Sequence, residues 1–418
     1  VNGMDPEGAV SGSVNIETKK AADEGNRKIG LGWFSNNRAQ GTFDLGQRFG
    51  ENKEFGVRAN GKLRHGDTPR HGYSEDNKEF ALNADYRGEK VRVAFDSIYA
   101  KRKTNGGRAR MQDIQNLQGR LFDAPDGKTN LLPSWNWQNT VGQTNMLTFE
   151  WDAFDNAQIT GGIGYNKARY YGTLISPTVC LNATSTCTDT QNTNVSGKVT
   201  ARNYDYNTGT ARLTDQYFRT LSMNLSARGE FETGPVTHNW STAFDRVIRQ
   251  RATTRGLSAG SSAKISASGD IAAQLDSFQP DYATDWESST YLDANIKVNS
   301  LALSDTLGFA DNKYRLTLGG RYQYVEYTDK TPAQKGKPVQ SGDAKRFSPM
   351  LMAAWVPQPD LVVYGNYMED LEPADIKTDD SGETTMSKPR VSRQFEVGVR
   401  KNWGNFVTTL NAFQIKRP

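Results

Sequence analysis

Six aromatic and four arginine side chains stand in or beside the long polar stretches of this 418-residue chain. They are Trp135, Trp137, Tyr170, Tyr171, Tyr204 and Tyr206, with Arg108, Arg110, Arg169 and Arg202. Aromatic rings embrace bulky ligands, and guanidinium groups pair with anionic oxygens through a planar fork. The set suits capture of a large, negatively charged complex rather than the making or breaking of a bond. A plainer use exists for each: the rings as interfacial-belt or loop-packing groups, the arginines as partners of surface phosphates or internal carboxylates.

Other reactive groups are sparse. Cys180 and Cys187 are separated by six residues of Thr/Asn-rich sequence, a spacing that suits a small disulfide-closed loop. A metal centre would want further ligands nearby, and the chain has three histidines, His65, His71 and His238. Adjacent carboxylates occur at Glu369–Asp370 and Asp379–Asp380, without a Ser/His partner or metal-ligand spacing, so the chain is not expected to be an enzyme. The 51 basic and 47 acidic residues nearly balance and the basic ones are scattered, which excludes a nucleic-acid-binding face.

The elements that position these residues read as strands. From Tyr314 to Tyr324 the apolar or aromatic residues Leu316, Leu318 and Tyr322 alternate with Arg315, Thr317, Arg321 and Gln323. Successive strand side chains point to opposite faces, so one face is greasy and the other polar. Similar alternation recurs at 27–37, 39–49, 53–65, 78–87 and from 91, then at 145–154, 157–170, 216–231, 236–250, 286–303, 312–327, 347–356, 361–369, 391–402 and 403–416, about fifteen strands. Mean hydropathy is −0.71, and no stretch approaches the ~18 consecutive apolar residues of a membrane helix. Strand spans are compatible with that value, because half of their residues face away from lipid.

Connection lengths choose between a soluble sandwich and a membrane barrel. Links after even-numbered strands are short, such as Gly88-Glu89 and Asp155-Asn156, and nearly all links after odd-numbered strands are long. Outer-membrane barrels sort short turns to one rim and long loops to the other, whereas a sandwich has no reason to. The fold expected is an all-β, antiparallel transmembrane barrel, with Asn83, Asp85, Arg92, Asp96, Asn224, Arg228, Glu396 and Arg400 on its polar inner face.

Two segments bring in a family. Gly8, Gly12, Val14, Asn15, Ile16 and Lys19, within Gly8-Ala9-Val10-Ser11-Gly12-Ser13-Val14-Asn15-Ile16-Glu17-Thr18-Lys19, resemble the end of the plug domain of TonB-dependent outer-membrane receptors. Phe347-Ser348-Pro349-Met350, Leu361 to Tyr367, and Ser392-Arg393-Gln394-Phe395-Glu396-Val397-Gly398-Val399-Arg400 resemble the late barrel of that family's siderophore-receptor branch. The resemblance implies a barrel of about 22 strands around a plug. Residues 1–24 would then be the C-terminal end of the plug and 25–418 a barrel incomplete at its C-terminus. Most of the plug and its energy-coupling motif would precede Val1, and the first and last strands present would carry unpaired edges.

The same resemblance implies import of a ferric siderophore across the Gram-negative outer membrane, energised by TonB with ExbB and ExbD. Iron would be held by the siderophore's own oxygens, with no protein cofactor, and lipid and lipopolysaccharide would surround the wall. Import of another bulky nutrient (cobalamin, a saccharide, a peptide) is the alternative within the family, and a passive porin the alternative outside it. Haem is disfavoured, because His65 and His71 lie by a short link.

Overall fold

Alternating β-branched and aromatic residues, broken by Gly- and Asn-bearing turns, form one continuous sheet. The computed structural model describes residues 17–34, 36–107, 126–130, 132–174, 178–180, 205–207, 212–258, 264–266, 273, 277, 291–329, 340–372, 376–378, 384–386 and 390–416. Its main sheet comprises β1 (Asn26–Phe34), β2 (Arg38–Phe49), β3 (Phe55–Asp67), β4 (Ser74–Arg87), β5 (Val91–Asn105), β6 (Trp137–Phe154), β7 (Ala157–Leu174), β10 (Arg212–Thr233), β11 (Val236–Ser258), β13 (Tyr291–Phe309), β14 (Tyr314–Asp329), β15 (Gln340–Gln358), β16 (Leu361–Glu372), β19 (Arg390–Asn402) and β20 (Val407–Lys416). Each strand pairs antiparallel with its neighbours in that order, making 15 strands, and β1 and β20 form the two edges. Between β7 and β10 lie β8 (Thr178–Cys180) and β9 (Asp205–Asn207), which join β12 (Lys264–Ser266) in a small sheet, while β17 (Ile376–Thr378) pairs with β18 (Thr384–Met386).

Which face is buried decides the class. Leu31, Phe43, Leu45 and Leu63 on the first strands, and Leu225, Phe244, Leu303, Leu318 and Phe347 later on, are all exposed, Leu31 at 91%. On the opposite face Asn83, Asp85, Asp96, Ser300, Arg321 and Gln323 are buried, Gln323 at 1%. A sandwich would show the reverse, with greasy faces packed on a second sheet. A wall with apolar side chains outward and polar ones inward matches the transmembrane barrel.

Short turns gather at one rim. Residues 50–54, 88–90, 155–156, 234–235, 310–313, 359–360 and 403–406 close seven of the hairpins there, and the long connections leave from the other rim. One hairpin at the long-loop rim is tight: Asn36 and Asn37, at φ 63° and 58°, turn β1 into β2. Asparagine tolerates this left-handed region better than most residues, and two successive positive φ values match the right-handed twist of paired strands.

The strand count agrees with the alternation; the strand heights do not. β5 runs to Asn105 and β6 begins at Trp137, where alternation places the start at 145. β11 extends to Ser258 rather than 250, and β15 starts at Gln340 rather than 347. Above the apolar belt both faces of a wall meet polar surroundings, so the period-two signal fades while the hydrogen-bond ladder continues. The inner face is also less uniformly polar than expected. Val247, Val298 and Val325 are register partners across β11, β13 and β14, and they pack into a buried apolar cluster with Leu371.

Candidate functional site

The inner wall near the short-turn rim holds a dense charged network, built where β2, β3 and β4 lie side by side. Arg48 of β2 and Asp85 of β4 both sit opposite Gly56 of β3. A side chain at Gly56 would meet the Arg48 Nη1 and Asp85 Oδ1 atoms at 2.5 Å, so glycine opens the gap through which the ion pair reaches across the strand. The Arg48 guanidinium donates to Asp85 at 2.7 and 3.2 Å, with both side chains almost fully buried. Its remaining donors go to the carbonyls of Lys53 (2.6 Å), Glu54 (3.0 Å) and Ala21 (3.2 Å).

That last bond belongs to a latch. Residues 17–25, which lead into β1, lie along this wall and are gripped mainly through their backbone. Arg58 donates to the Lys20 carbonyl at 2.6 Å while holding Asp44 in a two-pronged pair. Lys53 Nζ donates to the Asp23 carbonyl at 3.0 Å, and Arg87 pairs with the Asp23 carboxylate at 2.9 Å. Lys19, the last residue of the plug-like motif, precedes these contacts and is exposed; Gly8, Gly12, Val14, Asn15 and Ile16 lie outside the described residues. Alternation places Asp85 and Arg87 on the polar face of β4 but does not single out Arg48 and Arg58, nor any of these pairings. No local motif marks them, since their partners lie up to 64 residues away.

Arg87 beside Asp23 holds that carboxyl below the usual carboxylate range, its hydrogen bond being the first cause. A carboxyl depressed in the folded state contributes stability that is complete above its unfolded value, roughly 3.9, and is lost as pH falls through the lower folded value. The Asp23–Arg87 contact is therefore expected to persist unchanged from pH 8 to pH 5. A spin-label distance from residue 22 to the 88–90 turn checks this; lengthening already at pH 5–6 would contradict it.

Further along the same rim, Arg92 bridges Glu150 and Asp152 at 3.0 and 2.9 Å, and Arg228 donates to Gln158 at 2.8 Å. Asn83 donates to Asp96, and Glu396 accepts from Tyr364 and Asn411. These inward residues thus pair with one another along the wall.

At the long-loop rim the aromatic and arginine candidates separate. Trp137, Arg169 and Tyr171 share the outward parity of Ile163 and Tyr165, so they stand on the outer wall above the apolar belt. There Arg169 pairs with Asp215 at 2.7 Å and lies over the rings of Tyr171 and Tyr217, and Trp137 meets Tyr171 edge-on. Tyr170 has the opposite, inward parity and is half-buried. Trp135 is half-buried in the segment 132–136, where the buried Asn136 and Thr173 side chains bond to each other at 2.6 Å. Tyr206 lies on β9, its backbone between Val179 and Ile265. Arg108, Arg110, Arg202, Tyr204 and Cys187 lie outside the described residues, and Cys180 ends β8.

Residues 102–418 match the family model described as TonB dependent receptor-like, beta-barrel. The ferrichrome receptor FcuA of Yersinia enterocolitica is 26% identical over 429 residues, covering all of this chain and 52% of that protein. The chain therefore spans about half the length of the curated relative it matches. Among solved structures, the ferric preacinetobactin receptor BauA of Acinetobacter baumannii superposes with a TM-score of 0.75 at 25% identity, over 96% of this chain and 55% of that one. The ferric-catecholate import receptor Fiu of Escherichia coli K12 gives 0.73 at 15% identity, over 98% and 60% respectively, a likeness of fold.

Proposed function

Because the chain belongs to the TonB-dependent receptor β-barrel family of outer-membrane, non-enzymatic transporters, we propose that its receptor imports ferric siderophores with energy from the TonB–ExbB–ExbD complex. The observation that carries this reading is similarity along the entire chain to a protein named as a ferrichrome receptor. The geometry is compatible with it. Long connections crowd one rim, as a capturing vestibule requires, and the charged latch holds the segment entering β1 at the other. Iron is bound through the siderophore's oxygens, so the receptor needs no metal ligands or cofactor of its own.

Tyr170 is the proposed contact on the described wall, because its inward parity aims it at the lumen. Arg169 and Tyr171, on the outer side, serve the membrane interface instead. Trp137 stands with them on the outer side, while Tyr204, Tyr206, Arg108, Arg110, Arg202 and Trp135 remain loop candidates. A disulfide between Cys180 and Cys187 would brace the connection after β7. Tyr170→Ala is expected to weaken siderophore binding about 10-fold, the worth of one well-placed ring. Arg169→Gln should stay within about twofold, read by quenching of intrinsic fluorescence.

The experiment that tests the function is growth of an iron-starved deletion strain, complemented with the full-length gene, on individual ferric siderophores. Growth restored by one siderophore class, and lost without TonB, is the expected result. No rescue by any, with rescue instead of cobalamin, saccharide or peptide uptake, would move the substrate class. Passage of small sugars in a liposome-swelling assay would point to a porin.

A further inference from the structure

Along β3 the inward cations meet carboxylates: Arg58 is held by Asp44 at 2.7 Å and Lys62 by Glu79 at 2.6 Å. Arg64, the next in the series toward the long-loop rim, breaks this rule. It sits opposite Asn77 of β4, and both of its bonds go to the neutral amide oxygen of Gln40, at 2.8 and 2.6 Å. Beside it, Arg38, Arg102 and the Tyr73 hydroxyl share the single carboxylate of Glu75. Three guanidinium groups thus meet one described carboxylate. The Arg38 Nε is moreover buried without a partner among the described residues.

The Arg38 and Arg64 guanidiniums both lie over the ring of Phe34, 5.4 and 5.0 Å from its centroid. Guanidinium groups are weakly hydrated and settle on aromatic faces, so the ring orients both forks. The like charges it brings together still repel, and an anion between them would relieve that. Sheet register extends the site. Gln40, Arg64, Asn77, Arg102, Thr140 and Tyr170 are successive partners across β2 to β7, one from each strand, all on the inner face. Paired strands lie about 4.8 Å apart, so Arg64 and Arg102 stand about 10 Å from each other, and Tyr170 about as far again beyond Arg102.

Resting on the transport reading above, we propose that this row selects the charge class of the substrate. It takes a ferric complex of net negative charge, such as three dianionic catecholates make around iron(III), over the neutral complex made by three monoanionic hydroxamates. The Arg64 and Arg102 forks pair with charged oxygens of the chelate, and Tyr170 packs against its rim. Phe34 is a positioning residue that acts through Arg38 and Arg64. A neutral chelate would leave the surplus positive charge unmatched and give up two charge-assisted bonds. The charge comes from the wall itself, where paired strands hold it in place, rather than from the long connections.

The test is quenching of intrinsic fluorescence in the purified full-length receptor, titrated separately with the iron(III) complexes of a hexadentate tris-catecholate and a hexadentate tris-hydroxamate. The wild type is expected to bind the anionic complex about 10-fold or more tightly than the neutral one. Arg64→Gln and Arg102→Gln should each weaken the anionic complex about 10-fold, the worth of one charge-assisted bond, and change the neutral one less than about twofold. Arg64→Lys keeps the charge and should stay within about threefold of the wild type. Phe34→Leu, which frees both forks, should weaken the anionic complex alone, by about threefold. Arg169→Gln on the outer wall should leave both unchanged, and heat stability on gels confirms that each variant is folded. Equal or tighter binding of the neutral complex by the wild type would overturn the charge assignment and leave the transport reading in place. So would equal losses for both complexes in the arginine variants, which would mark these residues as structural. If neither complex binds and neither supports growth of the complemented strain, the transport reading falls first and the assignment with it.

Discussion

Replacing Arg48 with methionine is expected to loosen the short-turn rim more than any other single change in the described wall. Arg48 and Asp85 are both buried, and Gly56 between them offers no side chain to take over from the guanidinium. Removing one member of a buried ion pair strands the other charge, a loss of about 3–5 kcal/mol. The same substitution also frees the carbonyls of Ala21, Lys53 and Glu54. The consequence is local before it is global: residues 17–25 lose a principal anchor while the barrel ladder of β2 to β4 remains paired. Hydrogen exchange on the full-length receptor should show faster exchange over 17–25 and the 50–54 turn. Changing Asp85 to asparagine alongside Arg48→Met removes the stranded carboxylate and should recover about half of the lost stability. Unchanged exchange in the single variant would show that the latch does not depend on Arg48.

Leu225→Arg is the second large effect. Leu225 is exposed on the apolar face of β10, between Phe244 of β11 and Gly161 of β7. If that face meets hydrocarbon, an arginine near mid-membrane costs about 2–4 kcal/mol. Asn224→Arg, one residue away on the inner face, should cost about 0–1 kcal/mol because the lumen is wet. Folding into vesicles, read by heat-modifiable gel mobility and urea titration, separates the two. Equal tolerance of both substitutions would mean that the greasy face does not contact lipid.

The class of fold was legible in the chain because a strand's side chains alternate with a period of two. Leu316, Leu318 and Tyr322 fall on one face whatever the rest of the molecule does, and the sorting of short from long links completes the picture. The count of fifteen strands followed from the same pattern. Strand heights did not, because β5, β6, β11 and β15 continue beyond the apolar belt, where no alternation is demanded. Candidate ligand residues were legible only as types. Arg169, Tyr170 and Tyr171 are consecutive, yet one faces the lumen and two face outward, and only the register with β6 and β10 assigns each its side.

Residue chemistry thus determined the repeating strand, its two unlike faces and the absence of any catalytic grouping in the sequence. Tertiary structure decided which distant groups meet: Arg48 with Asp85 across Gly56, Arg58 with the Lys20 carbonyl, Arg87 with Asp23. The reason is that alternation acts between neighbours along the chain, whereas pairing across a sheet depends on register among strands tens of residues apart.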